Sequence, residues 1–118
     1  MLIRIDGDQI TGWSSFHDVF AEALGFPEFY GRNMAAWVDC LTSLGDPEDG
    51  MTSIHVSPPA VLTIQIDNAA QWLRRDPEMF RAMVDSAAFV NARRIGLGEP
   101  PVLCLSYHVS DSTEIDDG

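Results

Sequence analysis

The sequence predicts an α/β fold: a small three-stranded parallel sheet packed with about four helices. Three observations carry this reading. Short apolar runs of strand character stand at the start, middle and end of the chain, at 1–5, 61–66 and 102–108. Two stretches of helical periodicity separate each strand from the next, and no segment repeats. Strands joined by crossovers of that length pair in parallel, with right-handed connections.

Residues 1–5 (Met-Leu-Ile-Arg-Ile) read as a strand stopped by the turn signal Asp6-Gly7-Asp8. Ser15 and Asp18 have the spacing of a capping box, and Phe16, Val19, Phe20, Ala23 and Leu24 recur on one helical face. Gly25 ends that helix and Pro27 keeps it from resuming. Asn33 is a good N-cap for a second helix whose apolar stripe is Met34, Trp37, Val38, Leu41 and Leu44.

Residues 45–60 read as a surface loop outside the core, with Ile54-His55-Val56 as a candidate edge strand. The alternation of Leu62, Ile64 and Ile66 marks the middle strand. Asn68 to Arg75 can form a short helix, and Pro77 opens the longest one, running to about Arg94. Its core face is Met79, Phe80, Met83, Val84, Ala87 and Ala88, continued by Val90 or Asn91, and Arg93 and Arg94 complement the negative end of its dipole. Val102 to His108 is the last strand. The expected organisation is one domain over 1–109 and a frayed acidic tail over 110–118.

A chain of 118 residues is the size of one domain, and 46% hydrophobic content argues against disorder. No run approaches the ~18 apolar residues of a membrane span, and the opening residues carry no signal-peptide pattern. The expectation is a soluble cytoplasmic protein with Cys40 and Cys104 reduced, Cys104 buried in the run Val-Leu-Cys-Leu.

Charge narrows the function. Seven arginines against eighteen acids give −11. Residues 1–73 carry ten acids and only Arg4 and Arg32, whereas residues 74–94 carry five arginines and three acids. Direct nucleic-acid binding needs phosphate neutralisation, which this chain opposes. An acidic chain instead attracts a basic protein and speeds its arrival. Charge alone fits a purely solubilising role equally well.

Catalytic signals are weak. His17, His55 and His108 are scattered, His17 reads as a surface residue, and none has a second ligand at zinc spacing. No nucleophile elbow, HExxH or glycine-rich phosphate loop is present. Neither an enzyme nor a cofactor is indicated.

The stretch that stands out is Pro27-Glu-Phe-Tyr-Gly-Arg-Asn33 followed by Met-Ala-Ala-Trp-Val-Asp39-Cys-Leu-Thr42. Residues 24–42 resemble the barstar family, intracellular inhibitors of the ribonuclease barnase, through Pro-Glu-aromatic-Tyr-Gly-x-Asn and then Asp-Cys-Leu-Thr. The remaining elements match in order, and residues 45–60 and the tail make this chain longer. The resemblance implies a barstar-like fold and a non-enzymatic role: covering the active site of a basic ribonuclease or nuclease toxin, as an immunity protein of a toxin–antitoxin pair. It implies a partner surface of Phe29, Gly31, Asn33, Ala35, Val38, Asp39, Thr42 and, on the long helix, Asp85. Asp39 would enter the site where the nuclease holds phosphate, its carboxylate standing in for that anion.

Ala35 and Val38 stand where the family carries an aspartate and a tryptophan, and Arg32 adds a positive charge to the loop. These departures imply a cognate nuclease other than barnase. They also motivate the alternative of a protein-binding module with a non-nuclease partner. Residue types alone leave several roles open: Asp39 as a solvated helix residue, Gly31 as a positive-φ position, Phe29 and Tyr30 as core anchors, and Asp85 as an i,i+4 partner of Arg81.

Overall fold

The computed structural model describes residues 1–109; the acidic stretch 110–118 lies outside the described residues. Its elements run β1 (Leu2–Asp6), α1 (Trp13–Leu24), α2 (Met34–Thr42), β2 (Leu62–Asp67), α3 (Ala69–Arg75), α4 (Pro77–Gly96) and β3 (Leu103–Tyr107), with short 3-10 turns after β1 and α2. The three strands form one parallel sheet in the order β1-β2-β3. Ile3 pairs with Ile64 and Ile5 with Ile66, and across the other edge Ile64 pairs with Leu105. The predicted three-stranded parallel sheet and four helices are therefore present.

Alternation along β2 decides which face holds the core. Leu62, Ile64 and Ile66 are buried, whereas Thr63, Gln65 and Asp67 are only half-covered. On that second face Arg4 donates to Asp67 at 3.1 Å and Gln65 donates to it at 2.7 Å. Cys104 pairs in register with Thr63 and shares this face, so it is exposed. The expectation that it would be buried fails because only one side of this short sheet carries the core; Cys40 is the buried thiol.

Against the apolar face pack Phe16 and Phe20 of α1, Trp37 and Leu41 of α2, Trp72 of α3 and Met83 and Val90 of α4. The rings interlock: Phe16–Phe20 centroids are 4.7 Å apart, and Phe20 meets Trp37 edge-on at 5.6 Å. The helix ends follow local chemistry with one correction. Asn33 caps α2 through Ala36 N–H at 2.8 Å, and Asp76 caps α4 through Met79 N–H. Ser15, however, does not cap α1: it is the third helical residue, and its hydroxyl oxygen accepts from Thr11 and Gly12 N–H at 2.9 and 3.1 Å. The helix begins three residues earlier than the capping pattern suggests.

The 45–60 loop is the main departure. It contains no strand, and it contributes to the core: Val56 is buried and Ile54 packs against the cluster. Ser53 N–H donates to Leu24 O at 2.9 Å and Val56 N–H to Leu44 O at 3.0 Å, fastening the loop to the ends of α1 and α2. Gly25 permits this, with φ +66° and a position where any Cβ would collide with the Ser53 side chain.

On α4, Ala88 is exposed although the periodicity placed it inside. Asn91 is half-buried, donating to Leu103 O at 2.8 Å and accepting from the Val102 and Leu103 N–H groups. Arg93 and Arg94 do more than complement the helix dipole. Arg94 is buried, donating to Pro100 O and Thr42 O at 2.9 Å each, with Asp46 at 3.4 Å and Glu99 at 3.8 Å. Arg94→Ala would leave those carbonyls unpaired and a void between α2 and α4, at a cost of about 2–4 kcal/mol. Arg94→Lys should recover only part of this, lacking the planar fork. Urea unfolding of both variants measures the difference.

Candidate functional site

The loop between α1 and α2 is held by two polar ties. His17 Nδ1 lies 2.6 Å from the Tyr30 hydroxyl, and Trp13 stacks on the imidazole at 5.9 Å. His17 is therefore buried, not the surface residue the sequence implied. Burial, with Arg32 nearby, holds its pKa below the usual 6.5, and burial pushes the Tyr30 phenol well above 10. Both effects keep the imidazole and the phenol neutral in this hydrogen bond.

The second tie is Arg32, whose φ of 54° puts it in the left-handed region. The positive φ falls here and not at Gly31. A non-glycine residue in that conformation costs roughly 1–2 kcal/mol. Its guanidinium donates to Asp18 at 2.8 Å and to Ser14 O at 3.1 Å, which offsets the strain and neutralises the charge. Arg32 thus does not present a bare cation to an incoming basic surface.

This anchoring turns Phe29 outward, 76% exposed, ruling out a core role. Gly31, Asn33, Ala35 and Asp39 are exposed beside it. Pro27, Phe29, Tyr30, Gly31, Ala36, Asp39, Cys40 and Met51 line a cleft of about 190 Å³. Burial, with Asp39 adjacent, raises the Cys40 thiol to about 11, so this cysteine stays protonated and inert. Asp39 pairs with Arg93 of α4, whose Nη1 donates to Oδ1 at 2.7 Å, with both side chains about half exposed.

Two of the residues drawn from the resemblance fall outside this group. Val38 is 6% exposed and packs in the core, because the α2 stripe that meets the other elements includes it. Asp85 is exposed on α4, eight residues and about 12 Å of helix before Arg93. Among the described residues it forms no ion pair with Arg81 and no hydrogen bond to α2 or the loop. Thr42 is half-buried and donates its hydroxyl to Val38 O at 2.7 Å. Sequence reasoning missed Arg93 and Met51. The arginine-rich segment 74–94 hinted at Arg93; nothing local marked Met51.

Among the described residues no group of His, Cys, Asp and Glu is arranged to hold a metal, and no helix is long and apolar enough to cross a membrane. The fold is α/β, and the loop–helix stretch 27–42 presents an exposed surface. Residues 1–97 match the family described as Barstar (barnase inhibitor). This chain belongs to the barstar family. It is also 43% identical over 44 residues to a Bacillus subtilis (strain 168) protein named "Putative ribonuclease inhibitor YrdF", a match covering 37% of this chain. The chain spans about half the length of that relative, 48%.

The His17 environment sets a pH dependence. Above about pH 6.5 the folded and unfolded chains both carry a neutral imidazole, so the stability is fully present. Below it the unfolded chain takes up a proton first, and stability falls until the pH passes the lower folded value. Urea midpoints should drop more between pH 7.5 and pH 5.5 in the native chain than in His17→Phe. Equal slopes would show that His17 is not the titrating group.

Proposed function

We propose that this protein is an inhibitor of a basic ribonuclease or nuclease toxin, acting as a cytoplasmic immunity protein that occludes the active site. The observation that carries the reading is the membership of a barnase-inhibitor family by a chain whose Asp39 carboxylate borders an exposed cleft next to Phe29. A ribonuclease site gathers arginines and lysines around phosphate. A carboxylate on a rigid helix can take that anion's place without being hydrolysed. The proposed contact residues are Phe29, Gly31, Asn33, Ala35 and Asp39, with Thr42 at the helix end.

A non-nuclease basic partner is the second reading. It is favoured by Ala35, which leaves one carboxylate on the exposed stripe, and by Arg93, which half-neutralises that carboxylate. An inhibition assay of the native chain against a panel of barnase-type ribonucleases separates the two readings. Loss of RNA cleavage at stoichiometric inhibitor supports the first, and no inhibition across the panel leaves the second.

Asp39→Ala removes an exposed ion pair, so its thermal unfolding should shift by no more than about 0.5–1 kcal/mol. Binding to the inhibited nuclease should weaken by about 2–5 kcal/mol, a size taken from the barnase–barstar pair itself. Full inhibition by the folded variant would rule out Asp39 as the phosphate mimic. Association should also slow markedly from low to physiological salt while dissociation changes little, as stopped-flow mixing would show. Salt-independent association would remove electrostatic steering from the account.

A further inference from the structure

The Asp39–Arg93 pair bears directly on what can bind. Asp39 is the carboxylate that borders the cleft, yet one of its oxygens already accepts from Arg93 at 2.7 Å. Among the described residues, Oδ2 accepts no hydrogen bond. Both side chains are about half exposed, so the pair can open without breaking the core. Arg93 itself has no part in fixing the helix end, which its neighbour Arg94 holds by turning inward.

A partner that offers Asp39 a single cation would exchange one exposed ion pair for another, with little net gain. It would also bury Arg93 against a surface of its own sign. A partner that converges two or more cations on the carboxylate gains more than the pair it breaks, because the second oxygen is then used and the site is drier.

We infer that Arg93 is a built-in competitor for Asp39, so this surface rejects dispersed basic surfaces and selects partners with a clustered, phosphate-type cation site. The inference rests on the nuclease-inhibitor reading and refines its partner class. It makes Arg93 a specificity-determining residue that lowers affinity in the native chain.

A barnase-type ribonuclease from the panel above that the native chain inhibits is the probe. Its binding is measured by calorimetry to the native chain, Arg93→Gln and Arg93→Glu, each also in an Asp39→Asn background. Arg93→Gln should bind about two- to fivefold more tightly than the native chain, the size of an exposed ion pair's competition. Arg93→Glu should bind more tightly still. In the Asp39→Asn background Arg93→Gln should give a clearly smaller gain, the remainder being relief of like-charge repulsion with the basic partner. Unchanged thermal unfolding of the Arg93 variants shows that the fold is intact. Equal or weaker binding by Arg93→Gln and Arg93→Glu overturns the inference, as does the same gain without Asp39. The ribonuclease panel with the native chain decides the nuclease reading separately.

Discussion

Arg94 carries a guanidinium into the interior with 3% of its side chain exposed, and its contacts reach three separate segments of the chain. Moving that charge out of water costs several kcal/mol unless it is paired and hydrogen-bonded. The carbonyls of Thr42 and Pro100 and the carboxylates of Asp46 and Glu99 meet that need. The end of α2, the start of the 45–60 loop and the turn before β3 are thereby joined to the last turn of α4. The α2 surface can present Asp39 at a fixed angle because its C-terminal end is clamped in this way.

The N-terminal side of the same surface is fixed differently. There the ties are a neutral hydrogen bond, His17 to Tyr30, and an exposed ion pair, Arg32 to Asp18. Arg32 sits in a strained backbone conformation where glycine would be cheaper, and its side-chain bonds hold it there. Phe29 is pushed outward as a result. The proposed binding surface thus lies between a buried charge clamp and a strained loop, and both ends resist movement of the carboxylate and ring between them. Preorganisation of this kind lowers the entropy lost on association.

Consecutive arginines take opposite roles on α4. A step of about 100° around the helix sends Arg94 toward the core and Arg93 across to Asp39. The first is structural, and the second acts on the chemistry of the exposed face. Composition counts the two residues alike.

The fold was largely legible in the sequence because it depends on local periods. Leu62-Ile64-Ile66 alternates, Phe16, Phe20 and Leu24 repeat at helical spacing, and Asn33, Pro77 and Gly25 mark helix ends whatever lies around them. The loop–helix stretch 27–42 was also legible, since its residue types carry a family pattern over contiguous positions. What only the tertiary structure decided concerns pairs distant along the chain. His17 reads as a surface residue until Tyr30 closes over it, and residues 45–60 read as an external loop until Val56 fills the core. Cys104 reads as buried until the sheet proves to have one open face, and Asp39 reads as a lone carboxylate until Arg93, fifty-four positions later, donates to it. Burial and ion pairing depend on which surfaces the packing brings together, and no local spacing encodes that.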